Sequence, residues 1–428
     1  MLDTPSLRLP AGMRDFAPRA AAARRRIAES LLAVFESWGF SRVMTPGFEY
    51  EDVLALGLGK DARAASLKFV EPSSGRVVAL RPDITPQIAR LIATRFRDET
   101  GPVRLCYEGT VLRLERGARS QRELIQAGVE LAGVPGPNGD AEMIALGAAA
   151  LSAAGLGDSR FELTIDLGHL GLIREILRAL GLSEASGSAV RAAVAKRDRV
   201  ALDEAFAAAG LAAGVARAGR SARRFLENLS DWSGPPEILA KAARQAPNES
   251  VRTAIDELQA IVDAVSARPF PARLHVDLAE VRGFDYYTGL RFQGFVVGAA
   301  EPVLQGGRYD DLLGRYGQPR PAVGFAVDVE SAAAALDRPT DSEAGGDTSA
   351  SDTSQVLSGA VLVVGEVNAA AQAAASLRSE GRRAAPLMIS MPETEIEEYA
   401  ARWGYREILN LDASRQNSRT RQLKLRKK

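Results

Sequence analysis

The stretch PTDSEAGGDTSASDTSQVLSG, Pro339 to Gly359, is acidic, rich in Ser, Thr and Gly, and carries few apolar side chains. Such a segment has too little to bury to offset the entropy of ordering it. The chain must therefore be built as packed units on either side of a linker, assigned to 339–358. The larger unit is 1–338; the smaller is 359–412, followed by a basic tail at 413–428.

The larger unit alternates helix and strand signals. ARRRIAESLLAVFESWGF places Ile27, Leu31, Val34, Phe35 and Trp38 at helical spacing and stops at Gly39. RVVAL, VRLCYEGTVLRLE and QAGVELAG read as strands, and AEMIALGAAALSAAG reads as a helix. From about 170 to 266 the composition turns to Ala, Leu and Arg in helical patterns, which predicts a helical insertion. LHVDLAEVRGFDYYTGLRFQGFVV restores strand alternation, and PAVGFAVDVESAAAAL predicts a strand running into a helix. The expected fold class is α+β: an antiparallel sheet flanked by helices, interrupted by the insertion. After the linker, AVLVVG to REILNL alternates strand and helix, which predicts a small parallel α/β unit.

Charge and cysteine content exclude several classes. With 54 Lys+Arg against 54 Asp+Glu there is no global field to draw in nucleic acid or an anionic membrane. One cysteine, Cys106, rules out an internal disulfide, and two histidines with one thiol do not make a Cys/His zinc site. No metal or cofactor is expected. His169 and His275 lie in apolar strand contexts and are assigned to packing. No stretch reaches the apolar length of a membrane span, and the N-terminus lacks a secretory pattern, so the expectation is a cytoplasmic protein.

Four separated stretches set polar residues among glycines and apolar strand positions: LRPDITPQIAR with Arg81, Asp83, Thr85 and Gln87; Arg113 to Glu130; RGFDYYTGLRF from Arg282; and LQGGRYDDLLGRYG. On a strand, Gln126, Gly128 and Glu130 share one face. An amide, bare backbone and a carboxylate on one face suit a small zwitterion: an ammonium needs carboxylate acceptors, a carboxylate needs an arginine, and a ring N–H needs a phenol or a second carboxylate.

These stretches, in this order, resemble the histidyl-tRNA synthetase core. LRPD from Leu80, LRLERGARSQRELIQAGVE from Leu112, RGFDYY from Arg282, GGRYD from Gly306 and VGFAVDVES from Val323 match its ordered motifs. PAGMRDFAP and FSRVMTPGFE match its leading segment and motif 1. The resemblance implies a class II aminoacyl-tRNA synthetase-like sheet and a histidine pocket. In it Asp83 and Gln126 would take the ammonium, with Thr85 nearby, Arg113 and Arg282 the carboxylate, and Glu130 and Tyr287 the imidazole. Tyr286 and the Gly306–Gly307 backbone would close it.

The departures point away from synthesis. Ser331 stands where the family's motif 3 arginine meets ATP phosphate, and a hydroxyl cannot replace a planar cation there. The motif 2 loop is a residue shorter, and the C-terminal unit is smaller than an anticodon-binding domain. Recognition kept and chemistry lost is similar to the regulatory subunits of ATP phosphoribosyltransferase. That resemblance implies a noncatalytic chain, with no catalytic residue of its own, that activates a short-form catalytic subunit and contributes to histidine feedback. It also implies a homodimer within a larger hetero-oligomer and no tRNA partner. The competing expectations are a divergent histidyl-tRNA synthetase or other amino-acid-activating ligase, and an amino-acid sensor acting on another partner.

Overall fold

The computed structural model describes residues 8–114, 122–210, 217–281, 286–337, 360–411 and 419–422. Arg282, Asp285, most of the motif 2 loop and the linker at 339–358 lie outside the described residues. The strands are β1 (Ser41–Arg42), β2 (Phe48–Tyr50), β3 (Lys68–Val70), β4 (Val77–Leu80), β5 (Val103–Leu112), β6 (Glu123–Ala132), β7 (Thr164–His169) and β8 (Ser233–Gly234). They continue with β9 (Arg273–Asp277), β10 (Leu290–Phe295), β11 (Leu304–Arg308), β12 (Ala322–Asp328), β13 (Ala360–Val364), β14 (Ala384–Pro386), β15 (Tyr405–Asn410) and β16 (Arg419–Gln422).

A nine-stranded sheet in the order β1-β5-β6-β12-β11-β10-β7-β9-β8 organises the larger unit. Its pairs are antiparallel except β1–β5 and β7–β9. One face is apolar: Val129, Leu131, Val323, Val327, Leu304 and Phe292 meet Leu31 and Phe35 of α1 (Pro18–Ser37). Helix α1 ends as its sequence demands, with Gly39 at φ +83°, a left-handed conformation that needs a bare Cα. Two short helices, α2 (Glu51–Ala55) and α3 (Lys60–Ala64), accompany the separate β2-β4-β3 sheet. The opposite face of the large sheet is covered by α4 (Thr85–Arg95), whose Ile88 and Ile92 pack with Tyr107, Tyr286 and Tyr309. That face carries the site. Helix α5 (Pro137–Leu151) is buried almost all round against the apolar face, which explains its unbroken apolar run from Met143 to Leu151.

The insertion leaves after β7 and returns at β9, which pairs with β7 in parallel. Its helices are α6 (Leu170–Ala179), α7 (Glu184–Ala195), α8 (Arg199–Ala208), α9 (Arg217–Glu227), α10 (Ile238–Gln245) and α11 (Glu249–Ser266). Helix α11 packs on α5 and α6, so the insertion shares one continuous core with the sheet. Strand β12 runs into α12 (Val329–Leu336), where Asp328 accepts from the N–H groups of Glu330 and Ser331 at 2.9 and 3.1 Å.

The C-terminal unit has the order β14-β13-β15-β16 with α13 (Val367–Ser379) and α14 (Glu393–Arg402). Its first three strands are parallel, as expected from the alternation. Within the stretch read as a tail, Arg419–Gln422 form an antiparallel edge strand on β15. Alternating long polar residues do not announce an edge strand, because pairing there is supplied by the neighbour's backbone. The unit docks on the core: Tyr399 Oη donates to Pro102 O at 2.8 Å, and the Trp403 ring stacks on Phe96 at 5.4 Å.

Candidate functional site

The residues singled out in the sequence converge on the α4 side of the large sheet. Asp83, Thr85, Arg113, Gln126, Tyr286 and Tyr287 line one pocket of about 580 Å³, open mouth included. Glu130 lies directly behind it, and Arg282 is outside the described residues. Sequence reasoning had not assigned Gln305, Tyr309 or Asp328 to the site, yet they also line it. The period-2 rule could have found two of them: Asp328 faces Gln126 and Gln305 faces Ala326 across the ladders, on the face that holds Glu130.

Each side chain is aimed by its element. Arg81 is buried and donates from Nε to Thr110 O at 2.7 Å and from Nη1 to Thr45 O at 3.0 Å. That ties the turn after β4 to β5 and presents Asp83 and Thr85 at the start of α4. Arg113 Nε donates to Pro82 O at 2.7 Å, which fixes the same turn from the other side. Arg308 anchors the segment carrying the two phenols. It is bonded to Asp140 at 2.8 Å and Asp310 at 2.9 Å, while Asp310 N donates to Thr288 Oγ1 at 3.0 Å. Tyr286, Tyr287 and Tyr309 then meet ring to ring at 5.0 to 6.4 Å.

Glu130 is the centre of the electrostatics. Thr85 Oγ1 donates to its Oε1 at 2.8 Å, and Tyr107 Oη donates to the same oxygen at 3.2 Å. Its Oε2 is buried with no partner. The carboxylate fits only because Gly324 stands opposite on β12: a Cβ there would lie 1.9 Å from Oε2. Burial pushes the Glu130 carboxyl well above the usual range, with the nearby Asp83 charge adding to it and the Thr85 bond opposing it. Tyr286 Oη donates to Asp83 Oδ2 at 2.7 Å, and burial beside that charge raises the phenol. Gln126 Oε1 and Tyr309 Oη are further buried polar atoms without partners. Acceptors left unsatisfied by the protein are costly to bury and are the groups a ligand's N–H donors would meet.

The histidines behave differently from each other. His169 is buried with Nε2 at 3.0 Å from Glu257, consistent with packing, whereas His275 is part-exposed with Nδ1 at 2.8 Å from Asp166. Among the described residues no group of three or more His, Cys, Asp or Glu could hold a metal ion, and no helix is long and apolar enough to cross a membrane.

A family model described as histidyl-tRNA synthetase matches residues 12–332. A protein of Geobacter sulfurreducens, an ATP phosphoribosyltransferase regulatory subunit, is 42% identical over 337 residues, covering 78% of this chain and 74% of the relative. A protein of the same description from Syntrophotalea carbinolica is 36% identical over 412 residues, covering 95% and 91%. Among solved structures, a Bacillus halodurans protein described as an ATP phosphoribosyltransferase regulatory subunit/histidyl-tRNA synthetase aligns with TM-score 0.69 at 24% identity. It covers 96% of this chain and 99% of that one, and supports the fold. A histidine–tRNA ligase subunit of Alicyclobacillus acidocaldarius aligns with TM-score 0.63 at 30% identity, covering 78% and 98%. The chain therefore belongs to the histidyl-tRNA synthetase family and, within it, to the ATP phosphoribosyltransferase regulatory subunits.

Proposed function

We propose that the chain is a noncatalytic subunit that binds histidine in the sheet-face pocket and reports its occupancy to a short-form ATP phosphoribosyltransferase catalytic subunit. In this reading the chain is required for the partner's activity and contributes to feedback inhibition in the first step of histidine biosynthesis. It works in the cytoplasm as a homodimer within a larger hetero-oligomer. The observation that carries the reading is the charge of the pocket. The carboxylates of Asp83 and Asp328 line it against one described guanidinium, Arg113, and the buried Glu130 carboxyl stands behind them as a hydrogen-bonding group. Such a site attracts an ammonium and ring N–H groups and repels a triphosphate.

The ligase alternative needs the opposite field. Phosphoryl and adenylyl chemistry depend on cations at the developing charge. At the position of the synthetase arginine, Ser331 offers a hydroxyl on the first turn of α12, and Asp328 beside it adds a carboxylate facing the pocket. Histidine bound to the native state should raise the melting temperature of the purified chain, and Glu130→Ala should remove that rise. Histidine-dependent exchange of pyrophosphate into ATP by the chain alone would overturn the noncatalytic reading.

A further inference from the structure

A second pocket lies where the C-terminal unit meets the core, lined by Trp38, Glu142, Arg268, Ala371, Arg378 and Pro386 among others. Its charges do not balance. Arg104, fully buried, is bidentate to Glu142 at 2.8 and 3.0 Å and donates to Pro386 O at 3.0 Å, which occupies the pocket's carboxylate. Arg378 donates from Nη1 to Ala384 O at 2.9 Å and lies 3.7 Å from the Trp38 ring centroid. Among the described residues it has no carboxylate partner. Arg268 is in a starker position: its Nε and Nη2 are buried without any hydrogen-bond partner. The next carboxylate that Arg268 feels, Glu366, is exposed and accepts from the N–H groups of Asn368 and Ala369 at the start of α13.

Three guanidinium groups thus share one carboxylate in a crevice whose remaining walls are mainly alanine and proline. Two positive charges stay uncompensated by protein carboxylates where solvent screening is weak, a costly arrangement without a counter-anion. Burial, together with the charges of Arg104 and Arg268, holds Arg378 down to about 10, as expected for cations crowded together. We propose that this pocket binds a small phosphate-bearing dianion, held by Arg268 and Arg378. A dianion matches the excess charge, and two planar forks match the oxygens of a phosphate. The short alanine side chains leave space for a compact body attached to it.

The walls come from both units: the end of α1, α5 and the turn after α11 on one side, α13 and β14 on the other. The site is complete only when the C-terminal unit is docked. A ligand there stabilises the docked arrangement by mass action, independently of histidine in the sheet-face pocket.

The test uses the full-length chain at constant ionic strength, titrated separately with inorganic phosphate, pyrophosphate and ribose 5-phosphate, with chloride as control. Saturable binding by calorimetry and a rise in melting temperature are expected for at least one probe. The tightest of the three identifies a free or an esterified phosphate as the ligand. Arg268→Gln should weaken that binding by about tenfold or more, the loss of one charge-assisted contact. It should leave the ligand-free melting temperature unchanged or higher, since it removes an uncompensated charge, and the histidine response should persist. No saturable binding of any probe up to roughly 10 mM, the weak end of metabolite affinities, would overturn the proposal. So would equal affinity in the Arg268→Gln chain.

Discussion

At the scale of single residues, the recognition role proposed for Glu130 comes at a cost in stability. Because its carboxyl is raised by burial, the folded chain prefers the protonated form. The stability it contributes is fully present below the ordinary glutamate value of about 4.3 and is lost as pH rises through the raised folded value. Glu130→Gln removes the cost of holding that proton as pH rises while keeping an acceptor for Thr85. It should raise the ligand-free stability at pH 8 by on the order of 1–2 kcal/mol, have little effect near pH 4, and abolish the histidine response. Urea melts at the two pH values, with and without histidine, check all three. Gly324→Ala tests the same contact from the other strand. A Cβ placed 1.9 Å from Oε2 must displace the carboxylate, so histidine binding should fail, with a loss of about 1–3 kcal/mol in stability.

Most of this site was legible from residue type and order. Asp83, Thr85, Arg113, Gln126, Tyr286 and Tyr287 were named from sequence and line one pocket. What was not legible is the supporting layer. Tyr107 donates to Glu130 from the adjacent strand, where it faces Gly128, and nothing local in CYEG marks that register. Tyr309 lies within the LQGGRYDDLLGRYG stretch, but its ring-to-ring contact with Tyr286 depends on the β11–β12 turn geometry.

At the scale of elements, the sequence patterns located strands and helices well, because period-2 and 3.6-residue signals reflect which face is buried. They were weakest where pairing is made by backbone alone, as in the edge strand Arg419–Gln422 and the two-residue β8. The helical pattern of the insertion breaks between α7 and α8 at Arg197, whose φ of +52° no propensity rule signals. A buried ion pair joins β5 to α5 and supports β14 of the neighbouring unit: Arg104 with Glu142, both within 2% of full burial. Glu142→Ala strands a buried guanidinium and should cost about 3–5 kcal/mol. The double change Arg104→Met with Glu142→Leu should recover much of that loss, as a chemical-denaturation double-mutant cycle would show.

At the scale of the whole molecule, the described residues lining the sheet-face pocket all come from the larger unit, while the C-terminal unit is held by Tyr399, Trp403 and the Arg104 contact. A chain ending at Arg338 should therefore bind histidine within about threefold of the full chain but melt at a lower temperature, because the apolar surface around Phe96 is exposed. A fall in histidine affinity of more than about tenfold would show that the C-terminal unit shapes the pocket.

The most direct test of the central claim is reconstitution. The short-form catalytic subunit is assayed for phosphoribosyl transfer alone and with this chain, while histidine is titrated. The account predicts strong activation by the chain, inhibition as histidine rises, and retained activation with lost histidine inhibition for Glu130→Gln. Activity of the catalytic subunit that does not change when the chain is added would contradict it.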